Sequence, residues 1–257
     1  MNTLSDTWFL ILRRWRNLMR EPIWIVMMVV QPMVWLVLYG QLFRNVTKLG
    51  GFGTGSYVTF LAPAIVIMNA FFGASWSGMS MINDLEHKVI ERFLATPASR
   101  LAIILSQIGT SAITSVIQSL LILIVSLILG VRVSEGVLGW AVIILAGALV
   151  NSAFAGFSQA VALLTRREAT MIAVASSIQM PLLFLSTTMI AAKQMPHWMQ
   201  VTSKFNPLEW GVRAARAVAL PGTSWSTVGW HILLLLGLSA LTCAWATRAF
   251  RGYQRTL

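Results

Sequence analysis

The chain has 257 residues, of which 57% are hydrophobic and 11% charged, and its mean hydropathy is +0.74; a soluble domain carries roughly 25% charge, so the composition excludes one and points to a membrane. The formal net charge of +11 does not point to nucleic acid, because the basic residues stand at the ends of apolar runs, where anionic headgroups and the positive-inside rule account for them. A lone cysteine, Cys243, excludes an internal disulfide, and no Gly-x-x-x-x-Gly-Lys-Ser/Thr occurs, so the sequence holds no P-loop of its own.

Residues 4 to 20 place Leu4, Trp8, Ile11, Leu12, Trp15, Leu18 and Met19 on one helical face, with Arg13, Arg14, Arg16 and Arg20 around the rest. This predicts a basic interfacial helix rather than a signal peptide, since no small-residue cleavage site follows. Glu21-Pro22 restarts the chain as a cap and first-turn proline, and 23–43 carries no charge, which predicts a first span with Pro32 kinking its middle. A glycine-rich loop, LGGFGTGS, leads to a second predicted span over 57–82.

The next stretch, NDLEHKVIERFLATPASR, is a dense block of charge in which Leu85, Val89, Ile90, Phe93 and Leu94 recur at helical spacing. Asn83 as cap, Glu86 in the capping-box position and a stop at Thr96-Pro97 predict an amphipathic helix over 84–96, too short and too charged to cross a bilayer. Its charged side is then available to another protein, or merely solvated.

Further spans are predicted over 101–130 and 137–164, joined by a turn with Arg132 and Glu135, then over 169–192 after Arg166, Arg167 and Glu168, and over 228–247. Between the last two, residues 196–220 predict two short outer helices, the second capped by Asn206, opened by Pro207 and carrying Glu209 three residues after the cap. On that helix Glu209, Arg213 and Arg216 share a face, Glu209 and Arg213 in the favourable i, i+4 order; the set reads either as functional or as an exposed structural cover. The expected fold class is therefore an all-α integral membrane protein with six transmembrane helices in a single domain.

With the N-terminus inside, the cytoplasmic segments hold twelve Lys and Arg residues and the opposite side seven, so both termini are expected in the cytoplasm. Within the predicted spans His231 is the one side chain of the Asp, Glu, Lys, Arg and His kind, which argues against a proton-coupled carrier or ion pump. Uncharged polar residues do recur there: Asn69 on the second span, Gln107, Ser111, Thr114 and Gln118 on the third, Asn151 and Gln159 on the fourth. They read as a substrate path or as close helix packing. His87, His197 and His231 fall on separate elements, so neither a metal site nor a catalytic group is expected.

The basic N-terminal helix, the six spans, the loop EHKVIERFLATPASR and the outer segment FNPLEWGVRAARAVAL together resemble the ABC-2 type permease family, the membrane subunits of ABC exporters. Glu91, Thr96-Pro97 and Arg100 match that family's loop after the second span, and Asn206-Pro207 with Arg213 or Arg216 matches its outer motif; the glycine that often follows the acidic start of the loop is missing, His87-Lys88 standing there instead. The resemblance implies a multi-pass protein of the bacterial inner membrane, working as a homodimer with a separate ATPase subunit that binds ATP and magnesium, this chain binding no cofactor. Asp84, Glu86, Lys88, Glu91, Arg92 and Arg100 would meet the ATPase. The implied cargo is a hydrophobic drug or lipid-like compound, with glycolipid or polysaccharide as the alternative. From a different class, a stand-alone carrier or channel would need no ATPase.

Overall fold

The computed structural model describes residues 22–45, 47, 50–87 and 100–254, all helical or irregular with no strand among them. The predicted interfacial helix over 4–20 and most of the predicted 84–96 helix, with Lys88, Glu91 and Arg92, lie outside the described residues. The helices are α1 (Pro22–Leu42), α2 (Tyr57–Ser75), α3 (Ser77–Glu86), α4 (Arg100–Ile128), α5 (Gly136–Thr165), α6 (Glu168–Phe184), α7 (His197–Ser203), α8 (Pro207–Ala219) and α9 (Trp225–Gln254). Among the described residues four stretches are long and apolar enough to cross a bilayer: Tyr57–Glu86, Ile104–Ile128, Gly136–Thr165 and Trp225–Tyr253. At 1.5 Å per residue, the 30 residues of α5 rise about 45 Å, more than the roughly 30 Å hydrocarbon layer requires.

Helix α5 is the centre of the bundle, packed by α2, α4, α8 and α9. Small residues on α5 permit close approach: a Cβ on Gly156 would lie 2.9 Å from Thr242 Oγ1 on α9, and one on Gly147 would lie 3.3 Å from Ser119 Oγ on α4. With lipid outside there is little hydrophobic drive between helices, so such close contact and its dispersion energy hold the bundle. The outward faces of α1 (Met27, Val30, Val34, Leu38) and α4 (Ile124, Leu127, Ile128) remain exposed and apolar, as lipid or a partner surface demands. Gly51 and Gly53, both at positive φ, flank Phe52 and let the loop before α2 fold back so that this ring is buried against Tyr57 and Phe60.

In three places the chain departs from the sequence expectation. The second predicted span continues as helix to Glu86, interrupted at Trp76, so Asn83 sits inside α3 and does not cap a new helix; its carbonyl accepts from the His87 N–H at 3.0 Å. Local capping-box spacing was outweighed by a helix already running from Ser77. The fifth predicted span, 169–192, ends as helix at Phe184, because Leu185 leaves the helical path and the carbonyls of the last turn are taken by side chains. Third, α8 is not an outer cover. A Cβ on Gly211 would lie 2.7 Å from Val150 Cγ2 and 2.8 Å from Ile67 Cγ2, both well inside long apolar helices, so α8 descends into the bundle.

Candidate functional site

The entry of α8 is built on Asn206. Its Oδ1 accepts from the Leu208 N–H at 2.9 Å, capping α8, while its Nδ2 donates to the carbonyls of Leu182 at 2.6 Å and Leu185 at 3.0 Å, closing the end of α6. One buried side chain thus satisfies two helix ends. Asn206→Ala is expected to cost about 1 kcal/mol from the lost cap and about as much again for each abandoned carbonyl bond. Asn206→Asp keeps the α8 cap and loses the α6 bonds, so its melting temperature should fall between wild type and alanine. Equal melting of Asp and wild type would show that the α6 bonds contribute nothing.

Further along α8, Glu209 is fully buried and Arg216 is 9% exposed. The Glu209 carboxylate accepts the Thr187 N–H at 2.7 Å, the Thr187 hydroxyl at 2.8 Å and the Arg213 Nε at 2.7 Å. Arg216 donates through Nε to the Phe60 carbonyl at 3.2 Å, through Nη1 to the Thr187 carbonyl at 2.7 Å and through Nη2 to the Thr188 carbonyl at 2.8 Å. Its Nη1 also reaches Thr187 Oγ1 at 2.9 Å, so that hydroxyl bridges carboxylate and guanidinium. The guanidinium carbon lies 3.5 Å from the centroid of the Phe60 ring. The non-helical chain at 186–188 is stable at this depth because the charged pair satisfies its backbone groups, the condition under which irregular backbone survives inside a bundle.

The predicted set Asn206, Glu209, Arg213 and Arg216 is therefore brought together, with Arg213 the member that reaches the surface at 34% exposure. Sequence reasoning missed Thr187, Thr188 and Phe60. A usable signal existed: Ser186-Thr187-Thr188 is a hydroxyl run at the end of an apolar stretch, and Gly211, Ala214, Ala215 and Ala219 give α8 a small-residue face fit for burial.

At the opposite end, Asp84 is half-buried and accepts from Gln107 Nε2 at 3.1 Å, while Glu86 is exposed and Arg100 opens α4. Of the polar span residues, Gln107 is thus committed to Asp84, and Asn151 Nδ2 donates to the Ala70 carbonyl at 3.0 Å, contacts that join α3 to α4 and α5 to α2. Ser111, Thr114 and Gln118 are partly buried along α4, and Asn69 is partly buried on α2. Gln159 is fully buried with neither amide atom partnered. Among the described residues no group of His, Cys, Asp and Glu could hold a metal ion.

Comparison with known proteins agrees on one family. The profile described as ABC-2 type transporter matches residues 5–220. The chain is 31% identical over 221 residues to a protein named putative transport permease ycf38 of Porphyra purpurea, covering 84% of this chain and 74% of that protein. It is 29% identical over 217 residues to its namesake of Cyanophora paradoxa, covering 83% and 73%. Over 248 residues, 93% of this chain and 84% of the relative, it is 25% identical to the daunorubicin resistance ABC transporter permease protein DrrB1 of Streptomyces coeruleorubidus.

Proposed function

The chain belongs to the ABC-2 type transporter family, and from that premise we propose that it is the membrane subunit of an ATP-driven exporter moving a hydrophobic drug or lipid-like compound out of the cell. The observation that carries this reading is the alignment with a daunorubicin resistance permease over 93% of the chain. Six crossings are supplied by α1, α2 with α3, α4, α5, α6 with the run after it, and α9. Both termini face the cytoplasm of a bacterial inner membrane, in keeping with the Lys and Arg distribution. Two copies form the path between them, and Asp84, Glu86, Lys88, Glu91, Arg92 and Arg100 meet a separate ATPase, which holds the ATP and magnesium. The polar residues Asn69, Ser111, Thr114, Gln118, Asn151 and Gln159 are the candidates to meet the cargo as the halves move.

The buried charges fit this role better than ion coupling. Glu209 and Arg216 are committed to Thr187 and Thr188, so the pair fixes α8 to α2 and to 187–188 as one body. Closure of two ATPases can then tilt such bodies against each other, a rigid-body transition.

The test is ATP-dependent transport of an anthracycline by vesicles holding this chain with its ATPase, beside a Glu91→Lys variant. The wild-type pair should transport only with ATP. The variant should insert normally but lose co-purification and substrate-stimulated hydrolysis, since a mispaired charge at a docking face can cost several kcal/mol. Transport by the permease alone, without ATP, would replace the exporter with a carrier.

A further inference from the structure

The helix from Tyr57 to Glu86 breaks at Trp76 with no proline near the break. An uninterrupted helix would pair the Ser75 carbonyl with the Met79 N–H, and the Gly78 N–H with the Ala74 carbonyl. Here the Met79 N–H turns to the Trp76 carbonyl at 3.0 Å. Both freed groups go to one side chain of α5: the Ser158 hydroxyl donates to the Ser75 carbonyl at 2.7 Å and accepts from the Gly78 N–H at 2.9 Å. Insertion of a side chain into the helical ladder beside a Ser/Gly pair is a recognised cause of a bend. Gly78 is required for it, because a Cβ there would lie 2.6 Å from the Ser158 carbonyl oxygen.

Both sides of the break pack against α5, and the far end alone adds a polar tie to α4. Above it, Asn151 on α5 binds the Ala70 carbonyl and Phe154 packs edge-on against Phe71 with centroids 4.5 Å apart. Below it, Asp84 is tied to Gln107 on α4. The Ser77 hydroxyl in the break has no partner, and the residue after Ser158 on α5, Gln159, is fully buried with both amide atoms unpartnered. Unpaired buried donors and acceptors raise the energy of this arrangement, which narrows its gap to any other in which they are paired.

We propose that Ser158 is a positioning residue for transport, the pivot about which α3 swings while α2 stays fixed in the bundle. The proposal rests on the exporter reading, in which force enters at the His87 end, but the hinge itself belongs to this chain and can be measured without an ATPase. A swing of about 20°, the least that counts as a sharp bend, carries the end of the ten-residue α3 through about 5 Å, at 1.5 Å rise per residue.

Two spin-label pairs test it in the full-length chain, with Cys243→Ala as background, in nanodiscs of phosphatidylethanolamine and phosphatidylglycerol, labelled chains being diluted with an excess of unlabelled ones. The pair His87→Cys with Arg251→Cys reports the far side of the break, and Gly55→Cys with Ser226→Cys reports the fixed side, all four positions being exposed. Pulsed distance measurement should give two components separated by about 5 Å for the first pair and one narrow component for the second. Ser158→Ala should collapse the first pair to a single component, because the freed groups close into a straight helix, whereas Ser158→Thr should restore both. An unchanged two-component distribution in Ser158→Ala overturns the proposal. Should Ser158→Ala fail to insert, the wild-type pairs decide: one narrow distance at both ends overturns the hinge, whatever ATP-driven transport shows.

Discussion

Replacing Arg216 by methionine is expected to destabilise the folded chain by about 3 to 5 kcal/mol, since it removes a buried guanidinium that donates to three backbone carbonyls. Methionine occupies much of the same volume, so little of this is cavity. What is lost is the set of donors to the carbonyls of Phe60, Thr187 and Thr188. Each carbonyl left dry costs about 1 to 3 kcal/mol, and partial relaxation of 186–188 keeps the total below the simple sum. Glu209→Gln should cost less, because the amide oxygen still accepts from Thr187, although the pair with Arg213 is weakened. Thermal melts of both variants and of the double variant, taken as a cycle, separate the pair's coupling from the lost carbonyl bonds. Were Arg216→Met to melt with wild type, the irregular turn would be held by something other than this arginine.

The contrast between Asn206 and Arg216 shows what a sequence can carry. The Asn206-Pro207-x-Glu209 start of α8 is read correctly because a cap, a first-turn proline and an acidic first turn act within a few residues of one another. The burial of that same helix is not readable by those rules, since Glu209 with Arg213 is the pattern of an exposed helical pair. The partners that mark the face as interior are Thr187, 22 residues upstream, and Phe60, 156 residues away. The break at Trp76 is hidden for the same reason, its cause being a serine 83 residues later than the carbonyl it binds. Long apolar runs such as 137–164 suffer no such ambiguity, because length and lack of charge suffice to predict a helix there, and α5 covers the run. In the fifth run the apolar stretch outlasts its helix, which ends at Phe184, where Leu185 leaves the helical path and the Asn206 amide takes the Leu182 carbonyl.

Gly211→Leu should have an effect of similar size by a different route. The new Cβ would stand 2.7 Å from Val150 Cγ2 and 2.8 Å from Ile67 Cγ2, distances at which something must move. Neither neighbour yields easily, because both are β-branched with stiff χ1 and both lie inside long packed helices. The helix that moves is α8, and overpacking of this kind costs about 1 to 3 kcal/mol by itself. A shift of α8 also draws Glu209 and Arg216 away from Thr187, whose bonds of 2.7 Å to each leave no slack. The combined loss should then approach that of Arg216→Met without adding to it in a double variant, since both break the same network. Gly237→Leu is the control: nothing lies within 4 Å of a Cβ at that position on α9, so the substitution should stay within about 0.5 kcal/mol of wild type. Gly211→Leu melting together with Gly237→Leu would show that α8 has room at its centre and is not wedged between α2 and α5.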